Sequence, residues 1–518
     1  MKRRLTARGA RSGTATARFG RFVRQIDSMR LFLLYLLAIS LPGAVIQGIV
    51  LDEESGNPLA RTAVSLIPLP GTSAGTSSIR SGDHGAFTVT DVRPGWYVLR
   101  CTRKGFVPAE VGQLRPGRPG MPFEIAPDTQ SSFFQIRMRR LAAVTGSVLD
   151  ENSVGIPDWP VHIYTAQKPV RHVAETKTDD RGNYRIGDLD SGNYIVRSGP
   201  GQLEDESYLL PTYYKYGTAL ENAEPTRVKV GETQSDLIVR PVKGRLINLS
   251  GVFSSQISAT VTLITDTGRR ILASGSGQQV SFSSPVPPGE VEFLVEGSGN
   301  RCGGYVRMFA DHDMQGIRIA CSPLDPAMGS WTSDNSRGYF DNRQFALMMR
   351  RVDLDGTGPA RALKQREAIV PGHWEFRPQV GSDYYVKSVS AQFNGRTEGQ
   401  NDGWFGLDLG NSSQIFVTLS SHPGSISGVV TTGGKAVAGA AVYLELFDPQ
   451  LPNPRLQITE MRSDAQGNYK FSGLAPGRYR ALSSFDFDPE DRFAMEKALV
   501  ITLREGDNAT QALELILP

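Results

Sequence analysis

A histidine and a glutamate three residues apart, His172 and Glu175, match a pattern that supplies two zinc ligands in some hydrolases. That chemistry also needs a third ligand, a catalytic carboxylate and an open zinc position that holds water. Here the pair lies between a predicted strand and a turn that begins at Asp179. Residues three apart on a regular strand point to opposite faces, so we expect the two side chains not to share a metal ion.

Residues 71–75, Gly-Thr-Ser-Ala-Gly, match the nucleophile-elbow pattern around Ser73. That pattern works on a turn between a strand and a helix, with an acid and a histidine later in the fold. In this chain the match lies in a loop rich in serine, threonine and glycine, with no predicted helix behind it. We therefore predict no catalytic residue. No phosphate-binding loop, dinucleotide-binding fingerprint or paired-cysteine zinc site is present in the sequence, so we predict no cofactor.

Two acidic stretches, residues 353–356 and 486–491, carry the oxygen ligands that calcium prefers. Neither contains the complete twelve-residue calcium loop with its terminal glutamate. We interpret both stretches as solvated turns and predict no metal ion at either.

Four tyrosines form the one cluster that indicates a ligand: Tyr208, Tyr213, Tyr214 and Tyr216. Exposed aromatic rings stack on the apolar faces of sugars, and a tyrosine hydroxyl adds a hydrogen bond. The alternative is a packed junction between domains, in which the same rings would be buried. The sequence leaves both interpretations open.

The chain has three cysteines. Cys302 and Cys321 are 19 residues apart and could form a disulfide in an oxidising compartment. Cys101 would then be left over, either buried at the end of a strand or free.

The elements that must position these residues repeat along the chain. Five glycines, usually preceded by proline, are followed two residues later by an aromatic or β-branched residue: Gly95, Gly192, Gly289, Gly372 and Gly477. They recur at intervals of 83 to 105 residues, which is the size of a small domain. Self-similarity at such a period indicates a tandem array and leaves no room for a large catalytic domain.

Gly95, Gly192 and Gly477 each lie ten residues after a second glycine. These second glycines are Gly85, Gly182 and Gly467. Each second glycine closes an aspartate-containing turn that needs positive φ, and alternating strand-like residues follow. We interpret the strand that follows this turn and the strand after the later glycine, Gly95, Gly192 or Gly477, as a hairpin. Four more glycines open the units at a nearly constant distance upstream: Gly48, Gly146, Gly244 and Gly428. Short alternating strands at this spacing predict two-sheet β-sandwiches.

The predicted organisation is a tandem array of about five Greek-key β-sandwiches after an N-terminal segment. The units are residues 45–140, 141–241, 242–322, 323–421 and 422–518, and the third and fourth are the most divergent. We refer to them below as units one to five. The hairpin tyrosines and Trp374 are predicted to be core or corner residues.

Residues 1–44 form a basic stretch followed by an apolar core and small residues, which is typical of a secretory signal peptide or an uncleaved anchor. Translation could start at Met1 or Met29. Without this segment 47 basic and 52 acidic residues remain, so the net charge falls from +3 to near −5. Nucleic-acid binding loses its support, because no basic stripe with interleaved aromatic residues remains.

The turn and strand pattern, which residues 438–479 illustrate, resembles the carboxypeptidase regulatory-like domain. That family is similar to transthyretin-like, starch-binding-like and Cna B-type sandwiches of exported bacterial proteins. Units one, two and five carry the pattern almost whole, and units three and four carry only part of it. The resemblance implies a seven-stranded Greek-key sandwich, export and, in some members, carbohydrate binding. It does not imply peptidase activity, and we predict no Lys–Asn isopeptide bond.

Three functions are considered. The first is an exported, non-catalytic protein that binds carbohydrate or another surface ligand in the cell envelope. The second is a structural spacer of the envelope without a small ligand, which should be elongated. The third, and least favoured, is a zinc carboxypeptidase-type hydrolase. The expected partners are a polysaccharide or an envelope protein, and a membrane only through an uncleaved N-terminal segment. The expected location is the periplasm, the outer surface or the extracellular space.

Overall fold

The computed structural model describes residues 43–166, 170–203, 207–215, 217–266, 268–341, 345–392, 394–397, 403–447, 457–488 and 494–517. The predicted signal segment lies outside this part except for its last two residues. The regular structure described is strand, with two short 3-10 helices at Leu220–Asn222 and Ser298–Asn300. No helix among these residues is long and apolar enough to cross a membrane.

The all-β sandwich prediction is confirmed, since the strands form paired sheets throughout. In unit one the strands are β1 (Ala44–Asp52), β2 (Ala63–Pro68), β3 (Ser77–Arg80), β4 (Ala86–Val92), β5 (Gly95–Thr102), β6 (Ala109–Glu110), β7 (Phe123–Ile125) and β8 (Ser131–Met138). One sheet has the order β4-β1-β8, and the other has the order β3-β2-β5-β6 with β7 also on β5.

Unit two repeats this arrangement of two sheets and adds short strands after β13, whose bounds are given next. Its strands are β9 (Ala142–Val148), β10 (Pro160–Thr165), β11 (His172–Lys177), β12 (Asn183–Leu189), β13 (Gly192–Ser198), β14 (Gly201–Gln202), β15 (Tyr208–Leu210), β16 (Thr212–Tyr213), β17 (Thr226–Val228) and β18 (Thr233–Val239). The sheets are β12-β9-β18 and β11-β10-β13-β16.

Unit three has the sheets β23-β20-β26 and β22-β21-β24-β25-β27. The strands from residue 242 to 323 are β19 (Val242–Gly244), β20 (Ile247–Ser254), β21 (Ala259–Thr265), β22 (Gly268–Gly275), β23 (Gln279–Val286), β24 (Gly289–Gly297), β25 (Cys302–Ala310), β26 (Met314–Ala320) and β27 (Ser322–Pro323).

Unit four has the sheets β29-β28-β38-β35-β36 and β31-β30-β34-β37. Its strands are β28 (Pro326–Thr332), β29 (Arg337–Tyr339), β30 (Ala346–Asp353), β31 (Gly356–Thr357), β32 (Arg361–Ala362), β33 (Glu367–Ala368), β34 (Gly372–Gln379), β35 (Tyr385–Ala391), β36 (Asn394–Thr397), β37 (Phe405–Leu409) and β38 (Gln414–Ser420).

In unit five the two sheets join through the last strand into the order β40-β39-β47-β44-β41-β42. Its strands are β39 (Gly424–Thr432), β40 (Lys435–Ala436), β41 (Ala441–Leu446), β42 (Gln457–Arg462), β43 (Asn468–Leu474), β44 (Gly477–Ser484), β45 (Leu499–Leu503), β46 (Asn508–Thr510) and β47 (Leu513–Ile516).

In every unit the first long strand pairs in parallel with a strand near the unit's C-terminal end: β1 with β8, β9 with β18, β20 with β26, β28 with β38, and β39 with β46 and β47. This close approach explains the recurrent glycine on the first strand. A Cβ added at Gly48, Gly146 or Gly428 would lie 1.8–2.2 Å from a carbonyl oxygen of the parallel neighbour or its flank. Glycine is needed at these positions because a side chain would push the two backbones apart.

The third unit does not open at Gly244 as the spacing predicted. Gly244 ends β19, which pairs with β15 of unit two. The glycine that meets the parallel strand is Gly251 on β20, whose added Cβ would lie 2.0 Å from the Ile317 oxygen. Unit three has a shorter path between its first strand and its Gly289 turn, so a constant spacing selected the wrong glycine.

The predicted hairpins are also wrong in their pairing. The strands on the two sides of the Gly95 turn, β4 and β5, pair with β1 and β2 respectively, in different sheets. The same holds for β12 and β13 around Gly192. At these turns the chain therefore passes from one sheet of the sandwich to the other. Alternation identified the strands correctly, but it does not encode which strand is the neighbour.

In four units the aromatic residue after this turn forms a hydrogen bond that closes the corner. In four units a ring donor bonds to the carbonyl four residues upstream: Tyr97 to Arg93 at 2.8 Å, Tyr194 to Asp190 at 2.9 Å, Trp374 to Val370 at 2.9 Å and Tyr479 to Ala475 at 2.7 Å. These four aromatic residues are buried, as predicted.

The five largest buried apolar clusters span residues 44–138, 142–239, 247–319, 327–419 and 426–515. Each falls within one predicted unit, except that Ala44 extends the first strand into the predicted signal segment. Independent folding of the five ranges stays a prediction.

Each unit contacts the next one along the chain, and unit five contacts unit one, so the contacts form a closed cycle. One hydrogen bond at each junction illustrates it: Leu141 N to Gly105 O at 3.0 Å, Tyr164 Oη to Asp266 O at 3.0 Å, Leu354 N to Glu292 Oε2 at 2.9 Å, Tyr385 Oη to Glu505 Oε1 at 3.0 Å and Arg462 Nη1 to Gly120 O at 2.9 Å. The last of these joins unit five to unit one. An extended string of units, expected for a spacer, is not what these contacts describe.

Candidate binding sites

A cleft lined by basic residues lies at one edge of unit one. Its lining residues are Arg61, Ala63, Arg80, Thr102, Arg103, Lys104 and Pro108, and its volume is about 520 Å³. Four of the seven carry a positive charge, and none of the described lining residues is acidic. The cleft is therefore suited to an anionic group.

Strand pairing brings these cations together. Ala63, at the start of β2, is the register partner of Arg80 on β3 and of Thr102 on β5. The ends of three neighbouring strands thus meet at one edge, and Arg103 and Lys104 follow directly in the turn. Arg80 Nη1 donates to the Arg61 carbonyl at 3.5 Å, which holds two of the basic residues side by side.

Sequence reasoning missed this cleft because its cations are spread over more than forty residues. Only the adjacent pair Arg103 and Lys104 is visible as a local signal, and two neighbouring basic residues are common on solvated turns. The absence of a contiguous basic stripe therefore did not exclude a local basic site.

The tyrosine cluster does not form an exposed platform in the described residues. Tyr213 is 7% exposed, and it packs with Tyr164 and Ile195 in a small buried cluster. Its ring also lies under the guanidinium of Arg197, 5.0 Å from the ring centroid. Burial raises the pKa of its hydroxyl. This placement favours the packed-junction interpretation that the sequence left open.

The other cluster members give no shared surface either. Tyr214 packs against the core of unit two. Tyr208 is half-buried on β15, and burial raises its pKa. Tyr216 lies outside the described residues.

His172 and Glu175 lie on the same face of the sheet, so the predicted separation is wrong. Ile163 pairs with Ala174, but Tyr164 pairs with His172, so Val173 is an extra residue in β11. Such a β-bulge reverses the alternation of side chains on one side of it. Glu175 and His172 thereby come together with a third residue, His162 of β10, and one ligand atom from each lies within 4.8 Å of the others.

His162 is buried in this group. Its Nδ1 atom lies 3.4 Å from Glu175 Oε2. Burial, with the neighbouring His172 and Arg197, lowers the pKa of His162 to about 4. The imidazole is therefore neutral at physiological pH.

The remaining sequence candidates lie in a loop or in ion pairs between units. Ser73 lies exposed in the loop between β2 and β3, where its carbonyl accepts a bond from Arg93 at 3.3 Å. Asp353 and Asp355 form ion pairs with Arg269 of unit three, at 3.5 and 2.6 Å. In the second acidic stretch Asp486 and Asp488 pair with arginines of unit one, and residues 489–491 lie outside the described part.

The cysteines take the roles that the sequence suggested. Cys302 and Cys321 form a disulfide, with their Cα atoms 5.3 Å apart. Cys101 is buried in the core of unit one, and burial raises the pKa of its thiol to about 12.

Comparison with known proteins identifies one segment. Residues 45–122 match the family model of the carboxypeptidase regulatory-like domain, which confirms the resemblance for unit one. No curated protein matches the chain.

Several solved structures are similar at low identity. The shaft pilin SpaA of Lactobacillus rhamnosus GG is 10% identical, covering 39% of this chain and 98% of the pilin, with a TM-score of 0.24. A minor pilin of Streptococcus agalactiae is 12% identical over 39% of this chain and 97% of its own, with a TM-score of 0.23. The Bacillus anthracis TIE protein is 11% identical over 95% of this chain and 79% of its own, with a TM-score of 0.17.

Proposed function

We propose that this chain is an exported, non-catalytic protein of the cell envelope that binds an anionic polysaccharide through the basic cleft of unit one. The observation that carries the proposal is the convergence of four cations on one cleft with no acidic residue among its described lining residues. The cleft volume falls in the range of about 300–1,000 Å³ that is usual for ligand sites. The match to a regulatory-like domain supports a non-catalytic role.

Export is supported by two features. The basic and apolar order of the N-terminal segment is typical of a signal peptide. The Cys302–Cys321 disulfide is of the kind that persists in oxidising compartments outside the cytosol.

Binding of the purified chain to acidic and neutral polysaccharides tests the proposal. We expect binding to uronate-, sulfate- or phosphate-bearing polymers that weakens as salt increases, because surface charges are screened. The double variant Arg80→Glu with Lys104→Glu should lose about tenfold or more in affinity. A matched control, Arg185→Glu with Lys470→Glu, makes the same charge change at exposed positions of other units and should bind as the original chain does.

Equal binding by both double variants would place the contact elsewhere. Equal binding to neutral and acidic polymers would contradict an electrostatic cleft, and binding only to envelope proteins would replace the polysaccharide as partner.

A second function, a closed structural scaffold, is favoured by a different observation. Unit five contacts unit one through ion pairs, a hydrogen bond from Arg462 to the Gly120 carbonyl and one backbone hydrogen bond, so the five units hold each other in place. Such a scaffold would need no small ligand. It predicts a particle in small-angle scattering whose dimensions match a closed cycle, with or without polysaccharide binding.

A further inference from the structure

The three side chains that the β11 bulge brings together have the composition of a metal site. Two imidazoles and one carboxylate, from His162, His172 and Glu175, each offer one ligand atom within 4.8 Å of the other two. Two histidines and a glutamate are a set that binds Zn²⁺, with water completing the tetrahedron. We propose that this group binds one zinc ion.

The spacing is close to what zinc requires. Zinc bonds of about 2.05 Å at tetrahedral angles place neighbouring ligand atoms about 3.3 Å apart. His162 Nδ1 and Glu175 Oε2 already lie 3.4 Å apart. The third ligand atom lies within 4.8 Å of the other two, so it must approach them by at most about 1.5 Å to share one ion.

A second observation also points to a ligand at this group. The Nε2 atom of His172 is buried and has no hydrogen-bond partner among the described residues. A buried polar atom without a partner costs free energy that a bound ion or its water would recover. The two imidazole rings, with centroids 5.6 Å apart, are also restrained by Tyr164, whose ring meets that of His172 edge-on at 5.4 Å.

The surroundings are compatible with a cation. Arg197 is the cross-strand neighbour of His162, but its charge is compensated by an ion pair with Asp266 of unit three. The Glu175 side chain is 67% exposed, which gives an ion a route from solvent. All three ligands lie on β10 and β11, and the pairing of these two strands fixes the backbone positions of the ligand residues.

The site lies where three units meet. Tyr164, beside His172, bonds to the Asp266 carbonyl of unit three, and Arg171 pairs with Glu375 of unit four at 3.5 Å. Zinc would therefore link β10 to β11 at this junction and stabilise it. This inference does not depend on the polysaccharide cleft, which lies in unit one.

Zinc titration of the purified chain after chelator treatment tests the proposal. We expect about one zinc ion per chain by calorimetry, tetrahedral cobalt absorption bands on substitution with Co²⁺, and a rise in the melting temperature with zinc. The variants Glu175→Gln and His172→Gln should each weaken zinc binding by about tenfold or more. Because Glu175 is exposed, its substitution should leave the folded chain intact in zinc-free solution, which circular dichroism checks.

A second set of histidine and carboxylate side chains provides the matched control. Asp334, His422 and Glu505 also lie within reach of one another, but all three are exposed, and Glu505 is engaged by Lys387 at 3.1 Å. We expect His422→Gln to leave zinc binding unchanged. The proposal is overturned if the chain binds no zinc, if Glu175→Gln binds as tightly as the original chain, or if binding is lost only in His422→Gln.

Discussion

The guanidinium of Arg115 in unit one forms a two-point ion pair with the carboxylate of Asp486 in unit five, 371 residues further along the chain. Beside it, Arg118 pairs with Asp488 at 2.8 Å, and Arg462 of unit five pairs with Glu110 of unit one. Ala465 N also donates to the Pro70 carbonyl at 3.2 Å. The first and last units are therefore neighbours, although they are the most distant in sequence.

Charge reversal at this junction should open the cycle. The Arg462 and Glu110 side chains are only 18% and 15% exposed, so their pairing is screened less than a surface ion pair. We expect Glu110→Arg to place two cations together and to increase the radius of gyration measured by small-angle scattering. The exchange of both, Glu110→Arg with Arg462→Glu, should restore the original radius. An unchanged radius in the single variant would show that the ion pair does not hold the junction.

The corner tyrosine of unit five should contribute measurably to stability. Tyr479 Oη donates to the Ala475 carbonyl at 2.7 Å, and Tyr479→Phe removes only this hydroxyl. We expect a loss of about 0.5–1.5 kcal/mol in the free energy of unfolding, measured by urea denaturation. Tyr339, which is 53% exposed, provides the control, because Tyr339→Phe should be neutral. Equal effects at the two positions would argue against the corner bond.

The first-strand glycine of unit five should not tolerate alanine. A Cβ at Gly428 would lie 1.8 Å from the Gln511 oxygen, so the parallel strands would have to separate. We expect Gly428→Ala to destabilise the chain by about 1–3 kcal/mol or more. Gly187→Ala is the control, since no atom lies within 4 Å of its added Cβ. Thermal melting distinguishes the two variants, and a Gly428→Ala melting curve equal to that of Gly187→Ala would contradict this packing.

The three cysteines should label in a defined order. Burial raises the pKa of Cys101 to about 12, so almost no thiolate is present near neutral pH, and the buried sulfur is inaccessible. With iodoacetamide we expect no label on the native chain, one label after unfolding without reductant, and three after unfolding with reductant. Mass spectrometry counts them. Labelling of Cys101 in the native chain would contradict its burial, and three labels without reductant would contradict the disulfide.

Much of the fold could be predicted because its signals are local. The turn glycines Gly85, Gly182 and Gly467 do adopt positive φ, at 71°, 78° and 83°. The alternation after them does form strands, and the cysteine pair was visible from spacing and compartment. The opening glycine of unit three was misplaced, because a constant spacing assumes constant loop lengths. The cleft was missed, because Arg61, Arg80 and Lys104 become neighbours only when β2, β3 and β5 pair.

By itself, the sequence determined the fold class, since turn chemistry and side-chain alternation depend on a few adjacent residues. Only the tertiary structure decided which strands are neighbours, where Val173 bulges, and that the last unit returns to the first. Those outcomes depend on contacts between residues far apart in the chain, and one inserted residue reverses the face on which a side chain lies. His172 and Glu175 illustrate this dependence: their spacing predicts opposite faces, and the bulge places them together.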